Sequence, residues 1–237
     1  MKLKYRYIDQ AKKILTREEG TIRKDWGGRL PVVLIYANAY RLGMSSLAMH
    51  SVYRLFNDQP DVVCERAFFG YRSPPRDDEP ILSIESQRPL TDFPIIAFTI
   101  SYEMDYFNAV QILHRAGIPP LVKDRDESWP LIIGGGPAVY TNPAPLADIF
   151  DAFAIGEGEV IVPSLVDALW EAGGAPRDEG ARILAQVPGM YVPAVENGPV
   201  GRVWLRDLDR MPAVTQIYTD DTEFGDRTLI EIARGCG

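Results

Sequence analysis

The chain has 237 residues, of which 46% are hydrophobic and 24% charged, so it has the composition of an ordinary globular protein with one large or two modest domains. Its net charge of −8 disfavours a nucleic-acid surface built on overall charge. The two cysteines, Cys64 and Cys236, lie far apart and indicate no disulfide framework. No apolar run approaches the ~18 residues of a membrane span, and the N-terminus lacks the apolar centre of a signal peptide. We therefore expect a cytoplasmic protein that does not interact with membranes.

The first 29 residues are mixed and charged. One amphipathic helix is expected at 9–17, because apolar residues recur there on one face before glycines interrupt the pattern. The sequence predicts that residues 1–29 form an arm packed on the main body.

Between residues 30 and 172, apolar runs typical of buried strands alternate with segments of helical periodicity. The strands are expected at 31–36, 62–68, 93–100, 131–133 and 151–155. The helices are expected at 47–56, 104–115 and 160–172. This alternation predicts an α/β fold, a doubly wound parallel sheet of the Rossmann-like type.

Residues 173–227 form a separate predicted region that follows this domain. A helix is expected at 178–186, and a hairpin is expected between 189–193 and 202–205. Residues 206–227 are polar and are predicted to be a linker.

Four loops of the predicted sheet leave strands at the same edge, at 38–45, 101–105, 134–138 and 156–159. Ligands of open α/β sheets lie at this edge, and glycine turns let the backbone approach them, although any one glycine can simply make a tight turn. Neither a dinucleotide fingerprint nor a P-loop is present. Glu157 and Glu159 would repel a phosphate, so they are interpreted as a hydrogen-bonding turn or helix cap. The candidate cofactor-binding residues are Asn38, Tyr40, Gly43, Ser45, Ser101, Gly134, Gly135, Gly136, Pro137, Gly156, Glu157 and Gly158.

The last ten residues, TLIEIARGCG, carry a strand-like apolar run into a loop in which glycines flank Cys236. Such a loop presents a thiolate, because glycines let the backbone turn sharply close to whatever the sulfur holds. An ordinary thiol after a strand is the simpler alternative for one cysteine alone. We interpret residues 228–237 as the start of a second domain that is cut at this point.

The run from Glu231 to Gly237 resembles the opening of the radical S-adenosylmethionine (radical SAM) core, in which a strand leads into a C-x-x-x-C-x-x-C loop. In that family three thiolates hold a four-iron four-sulfur cluster, and the fourth iron binds SAM. Residues 30–172 resemble the cobalamin-binding-type Rossmann domain that precedes this core in many members. The matching segments are GMSSL at 43–47, the strand ending at Ser101, LIIGGGP at 131–137 and AIGEGE at 154–159.

One departure concerns the cobalt ligand. Cobalamin domains with a histidine ligand read D-x-H-x-x-G after the first strand, whereas this chain places Tyr40 at the histidine position. A neutral phenol that ionises only near pH ~10 is a poor cobalt ligand. His50 and His114 fall within predicted helices, where packed or solvated roles are expected. The resemblance therefore implies that cobalamin, if bound, is held without a histidine, or that the fold is kept and the cofactor lost.

The resemblance implies that the whole protein is an enzyme that cleaves SAM reductively to a 5′-deoxyadenosyl radical and modifies an unknown substrate. Cys236 would be a cluster ligand, and the fragment alone would be inactive because one thiolate cannot hold the cluster. The alternative is a cofactor-free module that recognises RNA or a protein for the downstream barrel, with four arginines expected on an exposed face. These are Arg41, Arg66, Arg72 and Arg76. A third interpretation is a flavodoxin-like receiver or sugar-binding domain with a chance cysteine.

Overall fold

A computed structural model describes residues 2–71, 79–196 and 198–234. Its sheet has the strand order β2-β1-β3-β4-β5-β6, and all neighbouring pairs are parallel except β5 with β6. The strands are β1 Leu30–Ala39, β2 Val62–Gly70, β3 Ile95–Thr99, β4 Leu131–Gly135, β5 Ala152–Ala154 and β6 Met190–Tyr191. The predicted doubly wound parallel sheet is confirmed. The strand order reverses between β1 and β3, which is the switch point at which such sheets bind ligands.

Helices cover both faces of this sheet. They are α1 Lys2–Leu15, α2 Tyr40–Gly43, α3 Leu47–Asp58, α4 Asp105–Arg115, α5 Pro137–Thr141, α6 Gly158–Ala172 and α7 Arg177–Ala185. Short 3-10 turns lie at Leu90–Asp92, Val122–Asp124, Ala144–Leu146 and Leu208–Arg210. No helix in the described ranges is long and apolar enough to cross a membrane.

The two faces of β1 belong to two separate hydrophobic cores, because successive strand residues point in opposite directions. Val32 and Leu34 join the core beneath α3 and α6, whereas Val33 and Ile35 join the core beneath α4. Ser46 caps the N-terminus of helix α3, and its hydroxyl accepts a hydrogen bond from the backbone N–H of Met49.

The predicted hairpin between 189–193 and 202–205 is wrong in its pairing. Met190–Tyr191 instead pairs antiparallel with β5, and Val203 forms a parallel bridge with Gly156 just beyond that strand. Strand β5 would otherwise leave unpaired backbone groups at the edge of the sheet, and both C-terminal segments satisfy them.

Residues 206–227, predicted as a linker, pack on the domain. Ala213 and Ile217 are buried, and Tyr218 exchanges two backbone hydrogen bonds with Glu19 at 2.8 and 3.0 Å. His50, expected to be packed or solvated, is buried, and its Nδ1 accepts the backbone N–H groups of Gln216 and Ile217, each at 3.2 Å. We call residues 206–227 the strap, since they cross α3 and the N-terminal arm.

Arg66 was expected on an exposed face and is instead buried, with 1% of its surface exposed. Its guanidinium donates to the carboxylate of Glu18 at 2.7 Å and to that of Glu85 at 2.7 Å. Strand β2 is buried along its whole length, so a charged residue on it must find its counter-ions inside the protein. Arg41 is half-exposed and ion-paired with Glu223. Arg72 and Arg76 lie outside the described residues.

Candidate functional site

A cavity of about 980 Å³ opens at the carboxyl edge of the sheet, between the sheet and helices α3 and α6. Its floor is formed by Leu34, Ala97 and Ile133, which lie on one face of β1, β3 and β4. Apolar residues of both helices form its walls, including Leu55 and Leu165. The volume and the apolar lining are typical of a small-molecule pocket.

Three consecutive glycines, Gly134 to Gly136, lie at the end of β4 and before α5, and the surroundings of each position differ. A Cβ on Gly134 would lie 2.6 Å from the Phe150 ring, and Gly136 has a φ of +107° that disfavours other residues. Gly135 alone points toward the cavity, and a Cβ there would meet only the Ala154 Cβ, at 3.6 Å. The missing side chain of Gly135 therefore leaves room for a ligand.

The loop after β5 also borders the cavity and holds the end of the described chain. Gly156, at a φ of +144°, approaches the backbone of Val203, and the Glu157 carboxylate accepts the backbone N–H of Leu205 at 2.5 Å. Glu157 and Glu159 both ion-pair with Arg234, the former at 3.2 Å.

Arg234 is held by a third carboxylate as well, that of Glu231 at 2.8 Å. Burial opposes its charge, but hydrogen bonds to Glu231 and Glu159 raise the pKa of Arg234 above its ordinary value. Arg234 is therefore a permanently charged residue that joins the chain's C-terminal segment to the loop after β5.

A second arginine, Arg202, lies at the rim of the cavity against two aromatic rings. Its guanidinium carbon is 4.2 Å from the centroid of Tyr140 and 3.8 Å from that of Trp204. All three residues line the cavity. Both distances are within the range of cation–π contacts.

Comparison with known proteins assigns the chain to a family. Residues 48–193 match the family described as radical SAM proteins, N-terminal. The chain belongs to this radical SAM N-terminal family. It is 26% identical over 211 residues to the uncharacterized protein MJ0966 of Methanocaldococcus jannaschii, an alignment that covers 86% of this chain and 38% of that relative. The chain thus spans less than half the length of this curated relative, and no solved structure matches it.

The matched range of this radical SAM N-terminal domain includes both glycine loops of the cavity. The structure brings seven of the predicted cofactor-binding residues together in its lining: Gly134, Gly135, Gly136, Pro137, Gly156, Glu157 and Gly158. The other five lie outside the lining: Asn38, Tyr40, Gly43, Ser45 and Ser101.

The residues around Tyr40 have structural partners instead. The Tyr40 hydroxyl is buried and donates to Glu18 at 2.6 Å, and burial together with this carboxylate raises the pKa of Tyr40 well above its ordinary value. Gly43 lies against Phe68, which leaves no space for a Cβ. The phenol therefore does not reach into the cavity, and it fits no role as a cobalt ligand there.

Asn38 and Ser101 flank the switch point beside β1 and β3. The amide of Asn38 donates to the Asp105 carboxylate at 3.1 Å, and the second oxygen of Asp105 has no partner among the described residues. Burial raises the pKa of Asp105. Ser45 donates to the Arg41 carbonyl at 2.7 Å, so its hydroxyl is engaged within the domain.

The predicted metal ligand, Cys236, lies outside the described residues, so its role stays a prediction. Within the described ranges, no group of three or more His, Cys, Asp or Glu side chains is placed to hold a metal ion. Cys64 is buried, and desolvation raises the pKa of its thiol well above the ordinary value, which disfavours the thiolate that a cluster needs. His114 is exposed at the end of α4.

Arg202 and Trp204 were not among the predicted site residues. Their spacing of two in the segment RVWL places both side chains on the same side of an extended chain, and this was the available signal. Their partner Tyr140 is far away in the sequence, and no local pattern joins it to them.

Proposed function

We propose that the full-length protein is a radical SAM iron–sulfur enzyme that cleaves SAM reductively to a 5′-deoxyadenosyl radical. In this proposal the described domain holds a ligand in its cavity, beside the segment that leads to Cys236. Family membership supports the radical SAM assignment. It also argues against the interpretation as a receiver or sugar-binding domain with a chance cysteine.

One observation carries the proposal. Arg234 lies two residues before Cys236, and its guanidinium is bound to Glu157 and Glu159 in the loop that borders the cavity. Glu231, Ala233 and Arg234 themselves line the cavity. A ligand in the cavity would therefore contact the same segment that delivers the cluster cysteine.

Cobalamin is the ligand that we propose for this cavity. The residues do not fit a histidine-ligated form, because Tyr40 is bonded to Glu18 and both ring nitrogens of His50 have backbone partners. They fit a cofactor held by shape, since Gly135 leaves open space and the surrounding side chains are apolar. When bound, cobalamin would supply methyl-transfer chemistry. The chain's own role would be to orient the ligand and to exclude water from it.

A cofactor-free recognition module remains the second hypothesis. Two of the arginines on which an RNA surface would depend are engaged within the protein, Arg66 as a buried ion pair and Arg41 with Glu223. These contacts favour a small-molecule ligand over RNA.

The proposal is tested by mixing the purified protein with hydroxocobalamin, removing free cofactor by gel filtration and recording the visible spectrum. We expect retention near one equivalent, and we expect Gly135→Val to abolish it because the added side chain projects into the cavity. Gly27→Val is the matched control, since a Cβ there meets nothing within 4 Å. A colourless peak for the unmodified protein would reject cobalamin and favour the recognition module.

The cluster assignment has its own test in the full-length protein. Iron and sulfide are measured after anaerobic reconstitution of the native sequence, Cys236→Ser and Cys64→Ser. We expect Cys236→Ser to lose the cluster and Cys64→Ser to retain it. Full iron content in Cys236→Ser would remove Cys236 as a ligand.

A further inference from the structure

The guanidinium of Arg202 has an N–H donor that forms no hydrogen bond within the described part of the protein. Its Nε is buried and has no hydrogen-bond partner among the described residues, and no carboxylate of those residues lies within ion-pair distance. A buried donor without a partner carries a desolvation penalty that a ligand acceptor can relieve.

The other two arginines of the cavity rim, Arg234 and Arg206, have partners for their donors. Arg234 is paired with three carboxylates, those of Glu157, Glu159 and Glu231, so its donors are occupied and the cluster as a whole stays negatively charged. Arg206 also lines the cavity but is exposed, so water can satisfy its donors. Arg202 is thus the rim cation that has a buried donor, its Nε, without a protein acceptor in the described part of the chain.

The rings of Tyr140 and Trp204 influence how the guanidinium of Arg202 can bind a ligand. The guanidinium lies over the rings of Tyr140 and Trp204, and these two contacts restrict the orientation of its planar set of N–H donors. A planar set of donors held in one orientation matches the paired oxygens of a phosphate, carboxylate or sulfonate. Trp204 is 60% exposed, which leaves ring surface available to the apolar part of a ligand.

We infer that the cavity takes a ligand with an apolar body and an oxyanion group, and that Arg202 binds the oxyanion at the rim. Behind Arg202 the pocket is walled by apolar residues of the sheet, α3 and α6, which suits the apolar body. The inference rests on the proposed function in placing a ligand in this cavity. It does not depend on that ligand being cobalamin.

A matched pair of fluorescent probes tests the inference on the purified protein. Anilinonaphthalene sulfonate has an apolar aromatic body and one sulfonate, and phenylnaphthylamine has the same body without the anion. At constant ionic strength, we expect Arg202→Gln to weaken binding of the sulfonate about tenfold, the usual effect of losing a charge-assisted hydrogen bond. Binding of the neutral probe should change less than about twofold, since its contacts are apolar.

Two controls make the result specific. Arg227→Gln removes an exposed charge outside the cavity lining and should leave both probes nearly unchanged, whereas Gly135→Val should displace both. Inorganic phosphate alone should compete only weakly, because it lacks the apolar body. Circular dichroism and the melting temperature verify that each variant is folded.

The outcomes separate this inference from the proposed function. Equal effects of Arg202→Gln on both probes, or no effect on either, would overturn the oxyanion site while leaving the cavity intact. Strong competition by phosphate alone would also overturn it, in favour of a simple anion site. Selective loss of the sulfonate probe without retention of hydroxocobalamin would support the oxyanion site and reject cobalamin.

Discussion

Replacing Arg66 with methionine tests whether the buried ion pairs hold the N-terminal arm to the sheet. Arg66 lies on β2, and its guanidinium binds Glu18, which follows α1, and Glu85, which precedes β3. The side chains of Glu18 and Glu85 are 0% and 4% exposed. Arg66→Met keeps an unbranched side chain but leaves two buried carboxylates without a counter-ion.

The expected loss in the free energy of unfolding is about 3–5 kcal/mol, the range for removing one partner of a buried pair. That is a large part of the roughly 5–15 kcal/mol that stabilises a typical domain. Arg17→Met is the matched control, because the Arg17–Asp220 pair at 2.6 Å is mostly exposed and is expected to contribute far less.

The pH dependence of this loss has a defined sign. In the native protein burial opposes the charge of Glu18, but the Arg66 guanidinium and its hydrogen bonds hold the pKa of Glu18 below the ordinary value of 4.5. This contribution is present above pH 4.5 and is lost as the pH falls through the folded-state pKa. Without Arg66, burial alone would raise the pKa of Glu18, and protonation of this carboxylate would then remove the cost of burying its charge. The deficit of Arg66→Met should therefore be smaller at pH ~5 than at pH ~7.5.

Urea denaturation followed by circular dichroism at both pH values measures these quantities. A loss below about 1 kcal/mol at neutral pH, or a deficit that grows on acidification, would refute the reasoning. The triple variant Arg66→Met, Glu18→Gln, Glu85→Gln provides a further check. It should recover part of the stability, because it removes the unpaired charges.

Three further predictions concern single side chains. His50→Phe should lower the free energy of unfolding by about 2 kcal/mol in urea denaturation, since two backbone N–H groups of the strap lose their acceptor. Burial lowers the pKa of His50, so its contribution should be lost only as the pH falls below 6.5. Gly136→Ala should lower the melting temperature markedly, because a Cβ would lie 2.5 Å from a carbonyl oxygen at a φ of +107°. In a Cys236→Ser background, Cys64 should resist a thiol reagent until the protein is unfolded.

The parts of the fold that the sequence predicted well are those in which a local pattern determines the structure. The run from Val32 to Tyr36 is apolar without interruption, as a strand covered on both faces requires, and it is buried throughout. The glycine loops after β4 and β5 were likewise recognisable from residue type and position, because positive φ angles and close backbone approach demand glycine.

The errors arise where long-range contacts override local preference. Arg66 was expected to be exposed because it is charged, yet the neighbouring strand and the arm enclose it, and Glu18 and Glu85 become its partners only in the folded protein. The predicted hairpin failed for a similar reason. A turn signal around residues 196–199 is local, whereas the need to cover the edge of β5 is a property of the whole sheet.

The loop after β5 connects the two features on which the proposals depend. The same carboxylate oxygen of Glu157 accepts the backbone N–H of Leu205 and contacts the guanidinium of Arg234. Leu205 follows the segment that carries Arg202 and Trp204, while Arg234 belongs to the segment that leads to Cys236. Because one oxygen contacts both groups, a ligand that displaces Leu205 would change the hydrogen bonding of the carboxylate that holds Arg234. Glu157 is therefore a shared contact between the rim of the cavity and the segment that leads to Cys236.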